Sequence, residues 1–225
     1  FTFITKKLIA DSGVKPADIK AVATSGIGPC MLPVNAKGEP LMNAVLYGVD
    51  TRAAREIDDL NAEIGAGRIL DYCGNALTSQ SVGPKILWLK NNRPDIYAAT
   101  HKILTCSSYL VFRLTGECVI DHYTAANNTP LYSADKLAWS DELTSRIIPL
   151  DKLPDCRWTT DIAGEVTPEA ARETGLAAGT PVTCGTIDAA AEALSVGVLK
   201  PGDMMLMYGS TIFIIALTSS RVRDA

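Results

Sequence analysis

The stretch Pro181-Val-Thr-Cys-Gly185-Thr-Ile-Asp188-Ala-Ala-Ala-Glu192, continuing to Gly197, constrains this chain most. Residues 182–184 read as a short buried strand, Gly185 as a turn, and the alanine-rich run after Asp188 as a helix. A strand that enters a helix through a glycine turn is a joint of α/β folds, which gather ligands at such places. The lone carboxylate at this joint has two readings. An Asp at a helix start accepts hydrogen bonds from free backbone N–H groups and complements the positive end of the helix dipole. The same carboxylate at the mouth of the turn is placed to act as a catalytic base. The residue pattern of this stretch leaves both readings open.

The remaining chain alternates strand and helix signals. Apolar spacing predicts a helix over 3–10, closed by Gly13, and a buried strand over 19–24. Gly26-Ile-Gly28-Pro29-Cys30 is a turn whose glycines let backbone approach another group closely. Strands are expected at 31–35 and 41–47 around the hairpin turn Asn35-Ala-Lys-Gly38. Helices are expected over 53–64, 81–91, 107–115, 140–148 and Pro168–Thr174, with a short strand over 101–105 and an extended 117–121. Residues 204–217 read as a β-hairpin turning at Gly209-Ser210-Thr211. A hairpin following a helix, among strand–helix units, predicts an α/β fold with a mixed sheet flanked by helices.

Composition narrows the function. The 225 residues are 47% hydrophobic with a net charge of −4, which supplies a sizeable core. The basic residues are scattered, so the chain carries no nucleic-acid footprint. The apolar tract 204–217 is broken by polar residues and too short to span a bilayer, so no membrane partner is expected. The six cysteines form no C-x-x-C pair and sit mostly in apolar segments, as expected of reduced thiols in a cytoplasmic protein. His101 and His122 lack ligand spacing to any cysteine, and no protein-held metal is expected.

Three small constellations carry chemistry. Gly209-Ser210-Thr211 offers backbone N–H groups and two hydroxyls able to cradle phosphate oxygens, although an ordinary hairpin turn looks the same. Asp50-Thr-Arg52 lies at the end of an expected strand and reads either as a helix N-cap with a surface arginine or as a polar ligand contact. Asp188 and Glu192 share a helix face, but one helix turn is the wrong geometry for two carboxylates flanking a sugar.

Taken in order, these segments resemble the FGGY family of carbohydrate kinases, and among them the xylulokinase-like members. The resemblance rests on Gly185-x-x-Asp188 with its small-residue helix, Lys200-Pro-Gly-Asp203, and Tyr208-Gly-Ser-Thr211. It rests also on Asp50-x-Arg52, Pro84-Lys-Ile-Leu-Trp88, Arg113-Leu-Thr-Gly-Glu117, Asp121 with Thr124-Ala-Ala126, and Trp139-Ser-Asp141. It implies an actin-like ATPase, ribonuclease-H-like fold and phosphoryl transfer from ATP with Mg2+ to a hydroxyl of a sugar, such as a pentulose, or a polyol. Asp188 would be the catalytic base; Gly28, Pro29, Cys30, Asp50 and Arg52 would line the sugar pocket; Gly209, Ser210 and Thr211 would face the ATP phosphates. Residues 1–199 would be the sugar-binding domain without its first phosphate-binding hairpin, and 200–225 the start of the nucleotide-binding domain, so the chain reads as a fragment. A homodimer is compatible with this reading. One departure stands out: xylulokinases carry a Met-His pair where this chain has Gly28-Pro29. That departure keeps open a non-catalytic sugar-binding or regulatory relative of the same fold.

Overall fold

The computed structural model describes residues 1–209, 212–220 and 222. Its strands are short and pair two by two. Ser25–Gly26 runs parallel to Thr186–Ile187, and Val119–Asp121 runs parallel to Asp155–Arg157. The pairs Leu32–Val34 with Lys102–Leu104, Ile162–Glu165 with Pro181–Thr183, and Met204–Tyr208 with Ile212–Ala216 are antiparallel. Strand pairing is therefore mixed, as the order of segments predicts, although it is divided among separate two-stranded sheets.

The expected strand over 19–24 is an extended segment beside 181–186. Val22 N–H donates to Pro181 O at 2.9 Å, Thr183 N–H to Val22 O at 2.9 Å, and Thr186 N–H to Thr24 O at 3.1 Å. The ladder breaks at Gly185, whose φ of 71° no side-chain-bearing residue adopts cheaply. The strand expected over 41–47 does not form. Within it Val45 bridges Met31 and Leu41 N–H donates to Pro33 O at 3.0 Å, while Pro40, just before it, bridges Val34. Pro33 and Pro40 each lack an N–H, so the ladder that would continue this pairing has gaps.

Helices flank the strands. The expected 53–64 helix is Ala54–Leu60, followed by a wide turn over Asn61–Gly65 and a further helix, Ala66–Cys73. Leu60, Ile64, Ile69 and Cys73 along this run pack into one core with Ile86, Leu89 and Ile103. A second core joins Val111, Leu114 and Val119 to Val182 and Cys184. Gly13, Gly116 and Gly175 close their helices in the left-handed conformation, as expected. The helix expected over 140–148 is a single turn, Asp141–Thr144, capped by Ser140 Oγ accepting from Leu143 N–H at 3.1 Å. The two-strand pair Tyr132–Ser133 with Ala138–Trp139 precedes it.

The helix Val82–Asn92 buries Val82, Lys85, Ile86 and Leu89 on one face. Ile86 is 0% exposed within the larger core. Ile86→Ala should therefore cost about 2–5 kcal/mol, read as a lower urea midpoint with an unchanged denaturant slope.

Candidate functional site

The glycine turn and the Asp188 joint meet through backbone. Gly26 pairs with Ile187, the residue before Asp188. A Cβ on Gly28 would stand 2.4 Å from Ile187 Cγ2, and one on Gly26 would stand 2.5 Å from Cys106 Sγ. The sequence expectation that this turn needs glycine for close approach is met by these two contacts. Pro29, joined to Gly28 by a cis peptide bond, enters the wall of an open cleft of about 500 Å³ with Thr78, Gln80, Ser81, Asn127 and Thr129. Cys30 is buried, and its Sγ–H donates to Ile27 O at 3.5 Å. Burial pushes the Cys30 thiol up to about 11, so it is a neutral group beside the turn.

Asp188 is the first residue of the helix Asp188–Ser195, not its cap. The capping position belongs to Ile187, and no side chain caps this helix. Asp188 Oδ1 instead accepts the N–H of Ala189 at 2.8 Å. The carboxylate still lies in the first turn, where the helix dipole favours negative charge. Its charge helps raise the pKa values of Cys30, Cys106 and Tyr123, in each case behind the larger effect of burial. Asp188 is thus electrostatically close to the Gly26–Cys30 turn.

Asp50 and Arg52 form a clamp. Arg52 Nε donates to both Asp50 oxygens at 2.9 and 3.0 Å, and Nη2 donates to Oδ2 at 2.8 Å. The guanidinium also lies over the Trp88 ring, 4.7 Å from its centroid. The helix-cap reading of Asp50 does not hold, because the helix begins at Ala54 with Ala53 in the capping position. Asp50 also lines a small cavity of about 100 Å³ with Thr78, Ser81 and Lys85. Thr78 and Ser81 border both this cavity and the larger cleft, so the two adjoin.

Lys85 is the group that sequence reasoning passed over. It is 1% exposed, and its ammonium donates to Leu46 O. Burial lowers its pKa first, while Asp50 and Cys30 work against that loss. The spacing 82, 85, 86, 89 was the available signal, since it puts this lysine on the apolar face of its helix. Lys85 links the two halves of the candidate site electrostatically: it acts on Asp50 and on Cys30, and Cys30 feels Asp188.

Gly209 ends the strand Met204–Tyr208 at the expected hairpin turn. Ser210 and Thr211 lie outside the described residues. No helix among the described residues is long and apolar enough to cross a membrane.

The hydrogen bonds from Arg52 hold the Asp50 carboxyl below the usual aspartate range. The pair's contribution to stability is therefore full above the ordinary Asp pKa and is lost as pH falls through the lowered one. In Arg52→Ala the Asp50 resonance should titrate at higher pH by carboxyl NMR. The stability loss should stay below about 1 kcal/mol at neutral pH, because the pair is partly solvated, and it should shrink in acid.

Comparison with known proteins gives this arrangement a family. The chain is 28% identical to the xylulose kinase of Bacillus subtilis (strain 168) over 219 residues, which is 97% of this chain and 43% of that protein. It is 29% identical to the autoinducer-2 kinase of Yersinia enterocolitica over 208 residues, 91% of this chain and 39% of that protein. The crystal structure of xylulose kinase from Rhodospirillum rubrum superposes with a TM-score of 0.92 at 28% identity, covering 98% of this chain and 45% of that one. The chain thus spans less than half the length of these relatives, and it shares their actin-like α/β fold. With residues 1–195 matching the N-terminal domain model, the chain belongs to the FGGY family of carbohydrate kinases.

Proposed function

We propose that the full-length protein is an ATP-dependent sugar kinase and that this chain supplies its sugar cleft and its catalytic base. In this reading residues 1–199 are the sugar-binding domain and 200–225 begin the nucleotide-binding domain. The observation that carries it is the seating of Gly28 on Ile187, which sets the Gly26–Cys30 turn directly beside Asp188. Asp188 accepts the proton of the attacking sugar hydroxyl as its oxygen bonds to the γ-phosphorus, and the bond from that phosphorus to the leaving ADP oxygen breaks. Such transfer depends chiefly on positioning and charge neutralisation. The bidentate Asp50–Arg52 clamp has acceptor and donor groups for sugar hydroxyls, while Cys30 is buried behind Pro29 and does not line the cleft.

ATP enters this reading through the family and supplies the phosphoryl group, with Mg2+ offsetting phosphate charge. In this reading Gly209, Ser210 and Thr211, between the paired strands Met204–Tyr208 and Ile212–Ala216, are the segment assigned to the ATP phosphates. Among the described residues no group of three or more His, Cys, Asp or Glu side chains gathers as a metal cage.

The substrate we favour is a ketose of the pentulose class, in line with the xylulose kinases among the relatives. Gly28-Pro29 in place of the Met-His pair argues for a sugar other than D-xylulose, or for a relative that binds sugar without turning it over. The test is ATP-dependent phosphorylation of D-xylulose, D-ribulose, hexuloses and polyols by the full-length protein, with Asp188→Asn as control. The expected outcome is turnover of one ketose and a fall of about 10²- to 10⁴-fold in kcat for the variant. Sugar-dependent thermal stabilisation with no ATP turnover would instead identify the non-catalytic relative. This chain by itself should not phosphorylate any sugar, because it holds only part of the phosphate grip.

A further inference from the structure

We propose that Asp121 is a positioning residue that fixes the start of the Asp188 helix through Thr186, an inference that rests on reading Asp188 as the base. Asp121 ends the strand Val119–Asp121 and is 1% exposed. Its Oδ2 accepts two hydroxyl hydrogen bonds, from Thr186 at 2.8 Å and from Thr159 at 3.2 Å. Thr186 stands two residues before Asp188, and its backbone N–H is already committed to Thr24 O at 3.1 Å. The strand Thr186–Ile187 is thereby held on its backbone by the 24–26 segment and by its side chain on Asp121.

The cost of this arrangement argues that it has a use. Among the described residues Asp121 forms no ion pair, and its Oδ1 has no hydrogen-bond partner. A buried carboxylate answered only by two neutral hydroxyls is destabilising relative to an apolar residue of similar volume. What it provides is direction: one short bond to a side chain two positions ahead of the proposed base, and a second to the connector at Thr159. Asp121 and Asp188 also both act on Tyr123, whose pKa is raised first by burial and then by these two charges. Both charges therefore reach the Tyr123 hydroxyl.

Three variants separate positioning from simple support. Thr186→Val removes the 2.8 Å bond and leaves the buried carboxylate in place, Thr186→Ser keeps the hydroxyl, and Asp121→Asn removes the charge. In this chain, hydrogen exchange at the amides of residues 187–189 should quicken about fivefold in Thr186→Val and in Asp121→Asn, the equivalent of one hydrogen bond. Thr186→Ser should restore most of that protection. In the full-length protein, assayed with D-xylulose, D-ribulose, hexuloses and polyols, Thr186→Val and Asp121→Asn should lose kcat by about 10- to 100-fold with sugar KM nearly unchanged. Exchange and kcat like the starting protein in both variants would overturn the inference. So would equal losses in Thr186→Ser and Thr186→Val. Turnover retained by Asp188→Asn would overturn the base reading itself, and the exchange result would still report whether Asp121 holds the helix start.

Discussion

The candidate site depends on one backbone contact, the parallel run of residues 24–28 along 185–187. Three glycines make it close enough. Gly185 turns with a φ of 71°, and a Cβ there would meet Thr24 O at 2.4 Å. Gly26 and Gly28 meet Cys106 and Ile187 at distances no side chain tolerates. A Cβ at Gly28 or Gly185 would force the turn and the helix start apart by a sizeable part of an ångström, and one at Gly26 would press the turn off Cys106. In a transfer reaction governed by positioning, that displacement reaches the reacting atoms. The contact is therefore a constraint on function as much as on fold.

Around this apolar and backbone contact the chain buries charge sparingly. Lys85 is inside the core face of its helix, and its ammonium has a carbonyl and the nearby Asp50 to offset the loss of water. Burying an ion costs several kcal/mol unless partners compensate, and such partners are what the Leu46 carbonyl and Asp50 provide, with the Arg52 charge working against them. The clamp is itself only partly buried, so its worth lies in direction rather than stability. Its stacking on Trp88 fixes the guanidinium plane, and with it the plane of the Asp50 carboxylate.

Local signals were legible in the sequence wherever one residue type answers one local need. Glycine after the helices 2–12, 106–115 and 168–174 marks left-handed caps, and Asn35 organises its turn by accepting from Lys37 and Glu39 N–H groups. The Asp188 joint and the glycine turn were legible for the same reason. What escaped depends on pairing between distant segments. Residues 41–47 look like a strand by composition, yet the gaps at Pro33 and Pro40 leave them with one bridge, Val45 to Met31, and a single hydrogen bond from Leu41 to Pro33. The expected helix ends at residue 64, but burial of Ile64, Ile69 and Cys73 carries helical structure on to residue 73. Of the two readings left open for Asp188, the cap reading fails, because the capping position is Ile187, the residue paired with Gly26.

The same reasoning extends to the far end of the described chain. An isolated two-stranded hairpin is marginally stable in water. The strands Met204–Tyr208 and Ile212–Ala216 escape this by turning one face onto the Asp188 helix region, where Met205, Phe213 and Ile215 pack with Ala193 and Val198. The opposite face carries Met204, Leu206, Tyr208, Ile212 and Ile214, all exposed. Because side chains alternate along a strand, the inward set fixes the outward one, and a slip of one residue would exchange them. The register is thus tied to the helix that begins with Asp188. The spacing between that carboxylate and the Gly209 turn is set by packing within this chain, before any ligand binds.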